Sequence, residues 1–127
     1  MEINAPEIVA EVTDAFLRYE QALKVNDVDT INLLFWNSPH TLRYGPNGTL
    51  LGHAALSAFR RGRATKGLDR ILKDTVITTF GRDFAVANTE SVRRGDTVNS
   101  RQSQTWVRMA DGWHIVAAHV SDQPAKG

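Results

Sequence analysis

The Asp111-Gly112 pair near the end of the chain constrains the fold more than any other short stretch. It separates two runs, 102–108 and 113–120, in which Trp, Val, Ile and Thr favour extended strands. An Asp-Gly pair between two such runs is the strongest short sequence signal for a β-hairpin. We therefore expect the chain to end in two long antiparallel strands.

The register of this hairpin decides which side chains share a face of the sheet. A two-residue turn at Asp111-Gly112 pairs Arg108 with Ile115, Trp106 with Ala117, and Gln104 with His119. The face with these residues combines an apolar floor and a few polar groups, which is typical of a pocket wall. The opposite face suits a second buried surface, such as a sheet-to-sheet contact in a homodimer, and carries Ser103, Thr105, Val107, Val116, Ala118 and Val120. A three-residue turn would change the pairing and with it both faces.

With 127 residues the chain is long enough to bury its own core, so we expect one domain over residues 1–127. The 15 Lys and Arg residues nearly balance the 14 Asp and Glu residues, and no long run carries one sign of charge. This balance predicts neither a nucleic acid nor a membrane surface as a partner.

No stretch approaches the roughly 20 apolar residues of a membrane span, and Met1–Asn4 is not the start of a signal peptide. The absence of cysteine excludes a disulfide framework, a thiolate metal site and a cysteine nucleophile. The four histidines, His40, His53, His114 and His119, lack the paired spacing of a metal site. We therefore expect a cytoplasmic protein with no metal or cofactor.

The basic residues are strongly biased, because eleven of the 15 are arginines. Arginine holds carboxylates with a fixed fork of donors and stays charged when it loses contact with water. This bias favours a small anionic ligand. The alternative is that most of these arginines are solvated at strand edges and helix ends.

The first half of the chain is predicted to be helical. Asn4 is placed to cap a helix that has Pro6 in its first turn and runs to about Val25. Its apolar residues recur at spacings of three and four, as Ile8, Val12, Phe16, Tyr19 and Leu23. Tyr19 therefore lies on the buried stripe, where its hydroxyl needs a partner: a main-chain carbonyl, a charged side chain or a ligand.

Further elements follow in an order typical of an α+β fold. Asp27 can cap a short helix over 28–35, and His53 to about Arg63 forms a third helix that Gly67 interrupts. The predicted strands are 40–44, 49–51, 70–80, 84–93 and the two of the hairpin, with a turn at Gly95-Asp96 and a loose tail over 123–127. Helices first and strands afterwards indicate helices packed on one face of a curved, mostly antiparallel sheet.

This order of elements, ending in Trp113-His114-Ile115-Val116 with His119 and Ser121, resembles the nuclear transport factor 2-like superfamily. The superfamily, also called SnoaL-like or cystatin-like, has cone-shaped α+β folds. The ending is also similar to the association domain of calmodulin-dependent kinases. Membership in so broad a superfamily does not by itself indicate a function.

A narrower resemblance rests on blocks from all parts of the chain. They are Arg18-Tyr19-Glu20, Asn26-Asp27-Val28, Leu34-Phe35-Trp36, Arg43-Tyr44-Gly45, Phe59-Arg60 with Arg63, and the segments 80–85, 101–106 and 117–121. Together these blocks resemble the AtzH-like (DUF3225-type) family of small proteins, which is associated with amidases in cyanuric acid and nitrogen catabolism. The resemblance implies a decarboxylating amidohydrolase that turns 1,3-dicarboxyurea into allophanate, with Tyr19 and Arg43 as catalytic residues.

The chemistry of such a substrate agrees with these residue types. Two N-carboxylates make a compact dianion, for which Arg43 offers a bidentate anchor. Tyr19 offers a proton, which the nitrogen must receive when CO2 is lost. Predicted binding residues beside this pair are Phe59, Arg63, Gln104, Trp106 and His119.

Bland roles remain open for each of these residues. Tyr19, Trp106 and Phe59 could belong to the core, and Arg43 could lie on a surface strand. Arg63 could interact with the dipole at the end of a helix. Gln104 and His119 could have all their hydrogen-bond partners within the sheet. Two other functions remain open as well: a module that binds the anion or assists a partner amidase without chemistry of its own, and an oligomerising scaffold.

Overall fold

A computed structural model of the chain describes residues 1–63, 69–93 and 98–124. The predicted interruption at Gly67 and the predicted turn at Gly95-Asp96 lie outside these residues. The helices are α1 (Pro6–Val25), α2 (Val28–Leu34) and α3 (His53–Gly62), and the strands are β1 (Leu42–Gly45), β2 (Gly48–Leu51), β3 (Arg70–Phe80), β4 (Phe84–Arg93), β5 (Val98–Met109) and β6 (Gly112–Pro124). The predicted α+β order is confirmed, although β6 continues into the segment that was predicted to be a loose tail.

Helix α1 buries the predicted apolar stripe, and Pro6 lies in its first turn. The predicted capping role of Asn4 is wrong, because the helix begins after Ala5 without a side-chain cap. Asn4 instead exchanges two hydrogen bonds with Thr79 of β3: its amide donates to the Thr79 carbonyl at 3.0 Å, and its Oδ1 accepts from the Thr79 amide at 2.9 Å. Asn4 therefore fastens the start of the chain to the sheet.

Asp27 caps α2 as predicted, since its carboxylate accepts hydrogen bonds from the Thr30 amide at 3.2 Å and the Thr30 hydroxyl at 2.7 Å. The helix ends at Leu34, and Phe35 is extended and bridges to Ile115 of β6. The short loop at Asn26, which has a left-handed conformation, folds α2 back on α1. The helical hairpin thus packs against the sheet through its buried apolar residues.

The six strands form one sheet in the order β2-β1-β6-β5-β4-β3. Strands β3 to β6 make the predicted antiparallel meander, and β1 joins its far side in parallel with β6. In this parallel pairing Arg43 lies beside Ala118, and Tyr44 lies beside His119. Because neighbouring residues on a strand point to opposite faces, this register sends Arg43 toward the helices and Tyr44 away from them.

The predicted register of the final hairpin is wrong. Met109 pairs with Gly112, so the two turn residues are Ala110 and Asp111, one position earlier than predicted. A bulge between Thr105 and Trp106 then shifts the pairing again, so that Trp106 lies opposite Ile115, Gln104 opposite Ala118 and Ser103 opposite His119. A bulge inserts one residue and exchanges the faces of the residues that follow. Ala118 and Val120 therefore face the helices, and Ala117 and His119 face outward.

A chain of buried hydrogen bonds links the inner face of β5 to α1. Trp106 Nε1 donates to Gln104 Oε1 at 2.9 Å, and Gln104 Nε2 donates to Gln102 Oε1 at 3.2 Å. Gln102 Nε2 then donates to Glu20 Oε1 at 3.1 Å. Glu20 also holds Arg70 of β3 in a bidentate ion pair, with Nη2 to Oε1 at 2.6 Å and Nε to Oε2 at 3.1 Å. Each of the buried side chains in this series of hydrogen bonds therefore has a partner, as buried polar groups require.

We expect Glu20→Gln to lower the free energy of unfolding by about 3–5 kcal/mol, because it leaves the buried Arg70 guanidinium without a counter-charge. The measurement is urea unfolding followed by circular dichroism. Glu7→Gln is the matched control, since the Glu7–Arg82 ion pair is about 60% exposed on both sides, and we expect no measurable change there. Equal effects of the two substitutions would contradict the structural role of Glu20.

Candidate anion-binding site

An open cavity of about 570 Å³ lies between the helices and the inner face of the sheet. This volume is within the usual range for small-molecule sites. Its lining includes five arginines: Arg43, Arg60, Arg63, Arg70 and Arg93. Four of them lie on β1, α3, β3 and β4, and Arg63 directly follows α3. We refer to it as the central cavity. Its composition indicates a site for an anion.

Tyr19 is 3% exposed and presents its hydroxyl to the central cavity. Its ring makes edge contacts with Phe35 and Trp106, at centroid distances of 5.7 and 6.4 Å, which fix its orientation. Arg60 Nη2 donates a hydrogen bond to the Tyr19 hydroxyl oxygen at 3.4 Å. Because a guanidinium only donates, the phenol oxygen accepts from Arg60 and its own proton is free to point at a ligand.

Arg43 reaches the central cavity from β1. Its guanidinium carbon lies 5.3 Å from the centre of the Phe59 ring, within cation–π range. Burial lowers the pKa of Arg43, and the nearby positive charge of Arg60 lowers it further. Both causes disfavour the charged form of Arg43, so a neighbouring anion would stabilise it.

Gly45 leaves the space that the Arg43 guanidinium occupies. A Cβ atom built on Gly45 would lie 2.7 Å from Arg43 Nη1 and 3.2 Å from its Cζ. Only a residue without a side chain therefore permits this conformation of Arg43. The Arg43-Tyr44-Gly45 segment thus contains both the cation and the glycine that leaves space for it.

Arg60 is the residue that sequence reasoning missed. It is only 2% exposed and lies one helical turn after Leu56, on the buried face of α3. Its guanidinium carbon is 5.5 Å from the centre of the Phe59 ring, and its Nε has no hydrogen-bond partner among the described residues. A charged residue four positions after a buried leucine was the available signal, because position i+4 lies on the same helical face.

Arg63 follows the last turn of α3 and lines the same cavity. Burial is the main cause that lowers the pKa of Arg63 to about 10, and the charge of Arg60 adds to it. At neutral pH Arg63 is still protonated. Its Nε also lacks a partner among the described residues. Arg43, Arg60 and Arg63 therefore form a group of cations with no carboxylate bonded to any of them in the described part of the chain.

The predicted site residues divide into three groups. Tyr19, Arg43, Phe59 and Arg63 line the central cavity. Gln104 and Trp106 are buried behind it and reach it only through Gln102. His119 lies on the opposite face of the sheet, exposed and in edge contact with the Tyr44 ring at 5.6 Å. The bulge in the hairpin is the reason that His119 is not in the cavity.

Within residues 1–63, 69–93 and 98–124, no group of three or more His, Asp or Glu side chains is arranged to hold a metal ion. No helix in that part of the chain is both long and apolar enough to cross a membrane.

Solved structures define the class of fold. A protein of unknown function from Pectobacterium atrosepticum is 52% identical with a TM-score of 0.93, over 95% of this chain and 94% of its own. A cystatin-like fold protein from Burkholderia xenovorans is 46% identical with a TM-score of 0.93, over 100% and 99% of the two chains. A nuclear transport factor 2-like protein from Salmonella enterica is 30% identical with a TM-score of 0.72, over 94% and 93%. The fold is therefore that of the nuclear transport factor 2-like, cystatin-like class.

The family is narrower than the fold. The model of the AtzH-like family matches residues 1–125, and the Pectobacterium protein is described as a member of the DUF3225 family. This chain belongs to the AtzH-like family. No protein with a curated functional description matches it.

We expect Gly45→Ala to displace the Arg43 guanidinium and weaken binding of a carboxylate such as glutarate by about tenfold, equivalent to about 1.4 kcal/mol. The fold should persist, because the clash involves only the flexible end of a side chain. Isothermal titration calorimetry measures the affinity. Gly62→Ala is the matched control, since a Cβ there meets no atom within 4 Å. Unchanged affinity in Gly45→Ala would show that Arg43 does not hold the anion.

Proposed function

We propose that this protein is a decarboxylating amidohydrolase that converts 1,3-dicarboxyurea to allophanate in the cytoplasm, as a step of cyanuric acid and nitrogen catabolism. The observation that carries the proposal is the meeting in one cavity of the Tyr19 hydroxyl and the Arg43 guanidinium, to which no carboxylate among the described residues bonds. Membership in the AtzH-like family supports the same substrate.

Arg43 is assigned to the carboxylate that the product retains and to the adjacent urea oxygen. A cation on the departing carboxylate contributes to binding and specificity rather than to rate, because that group loses its charge as CO2 forms. A cation near the urea carbonyl instead stabilises the negative charge that develops on the nitrogen and spreads to the oxygen. The position of Arg43 beside Phe59, at the apolar side of the cavity, strengthens this effect.

Tyr19 is assigned to proton transfer. The bond between nitrogen and the departing carboxyl carbon breaks, its electron pair stays on nitrogen, and CO2 leaves. The nitrogen takes the proton of the Tyr19 hydroxyl, and the tyrosine is reprotonated from water. The hydrogen bond from Arg60 stabilises the oxygen in the moment at which it carries negative charge.

We expect Tyr19→Phe to lower kcat by about 10²–10⁴-fold, the usual contribution of a general acid. The measurement is CO2 release from freshly made 1,3-dicarboxyurea. Tyr44→Phe is the matched control, because Tyr44 is the chain's other tyrosine and lies on the outer face, 46% exposed. Wild-type turnover in Tyr19→Phe would remove the catalytic assignment.

A second candidate function is an accessory module that binds the anion for a partner amidase without chemistry of its own. It is favoured by the cationic lining, since three guanidiniums to which no carboxylate of the described residues bonds can hold an anion without any reaction. The same assay separates the two functions when no amidase is present. A rate of CO2 release that is unchanged by the protein would favour the accessory role and contradict the enzyme.

We further propose that the protein is a homodimer through the outer face of the sheet. That face is exposed in the single chain and carries Tyr44, Val76, Phe84 and His119. An exposed apolar surface of this kind is typical of a protein–protein interface. The bulge changes the face that was predicted from the sequence, because Ala118 and Val120 are turned inward.

The dimer is tested by light scattering coupled to size exclusion. We expect a mass twice that of the 127-residue chain, and Tyr44→Asp should shift the protein toward the monomer because it places a charge in the interface. Arg82→Asp is the control, since Arg82 is exposed in the turn between β3 and β4. A monomer at all concentrations would contradict both the dimer and the scaffold function.

A further inference from the structure

Two kinds of buried arginine line the central cavity. Arg70 is held by the Glu20 carboxylate in a bidentate pair, with side chains 15% and 4% exposed. Arg60 is at least as deeply buried, at 2% exposure, yet no carboxylate of the described residues bonds to it. The buried Arg70 guanidinium is therefore neutralised by a carboxylate of the protein, whereas the buried Arg60 guanidinium has no such carboxylate among the described residues.

Most of the hydrogen-bonding capacity of Arg60 is unused. A guanidinium has five N–H donors, and among the described residues only the bond from Nη2 to the Tyr19 hydroxyl is formed, at a long 3.4 Å. Its Nε is buried without a partner. A buried charge without a partner destabilises a fold by several kcal/mol. The Arg60 guanidinium therefore indicates that a bound anion neutralises it when a ligand occupies the cavity.

The positions of Arg43 and Arg60 suit a ligand with two negative groups. Both guanidinium carbons lie within 5.5 Å of the centre of the Phe59 ring, at 5.3 and 5.5 Å. They approach the cavity from different elements, β1 and α3. One carboxylate on each guanidinium leaves the middle of the ligand beside Phe59 and near the Tyr19 hydroxyl.

We propose that Arg60 is a specificity-determining residue, the anchor of a second carboxylate, which makes the central cavity select a dicarboxylate over the same molecule with a single carboxylate. This inference rests on the proposed function for the identity of the natural substrate. The selection itself depends only on the contacts of Arg60. The unpaired Arg60 charge also rejects ligands that would leave it buried without an anion.

The test compares glutarate with glutaramate by isothermal titration calorimetry at pH 7. Glutarate separates its carboxyl carbons by three atoms, as 1,3-dicarboxyurea does, and glutaramate replaces one carboxylate by an amide of the same shape. We expect the wild-type protein to bind glutarate at least about tenfold more tightly. Arg60→Met should reduce this ratio to below about threefold, and Arg60→Lys, which keeps the charge but loses the fork, should give an intermediate ratio.

Arg93→Gln is the matched control. It removes one positive charge from an exposed arginine at the same cavity, so it lowers the affinity for both ligands. Because a dianion loses more than a monoanion, we expect a ratio somewhat below that of the wild type but clearly above that of Arg60→Met. A wild-type ratio near one, or an Arg60→Met ratio no lower than that of Arg93→Gln, would overturn the proposal.

Thermal unfolding without ligand distinguishes a binding role from a structural one. We expect Arg60→Met to melt no lower than the wild type, because it removes a buried charge that has no counter-charge. A midpoint lowered by several degrees would assign Arg60 a structural role and overturn the proposal. Failure of the proposed function is separate: absent turnover together with a preserved Arg60-dependent ratio leaves the dicarboxylate site intact.

Discussion

The ion pair between Glu20 and Arg70 is the interaction on which the rest of the structure depends. The central cavity gathers guanidiniums from several elements, and like charges in a desolvated space repel one another. Glu20 neutralises Arg70, and a series of hydrogen bonds connects Glu20 through Gln102 and Gln104 to the Trp106 indole. These hydrogen bonds tie α1 to β3 and β5, whereas Arg43, Arg60 and Arg63 bond to no carboxylate of the described residues.

Arg43, Arg60 and Arg63, to which no carboxylate of the described residues bonds, suit the central cavity to an anion. The lowered pKa values of Arg43 and Arg63 have the same causes, burial and the neighbouring charge of Arg60. An anion that enters the cavity removes part of this unfavourable energy, and the gain is largest where the most negative charge develops. A fold that buries these charges exchanges some stability for the capacity to hold an anion, a common feature of functional sites.

Topology brings the site together. The parallel contact between β1 and β6 places Arg43 beside Ala118 on the inner face of the sheet, so that Arg43 lines the cavity. Gly45 leaves room for the guanidinium, and α3 supplies Phe59 and Arg60 from the opposite side. None of these elements forms a site alone, because each contributes one wall.

The sequence by itself determined the order of the elements, the buried stripe that carries Tyr19, and the family that its motifs resemble, because periodicity and short motifs are local properties of the chain. Tertiary structure decided the rest. A bulge of one residue in the final hairpin moved His119 to the outer face, and the packing of α3 buried Arg60 without a carboxylate partner among the described residues. Register and the compensation of charge both depend on pairings across the fold, which no local pattern records.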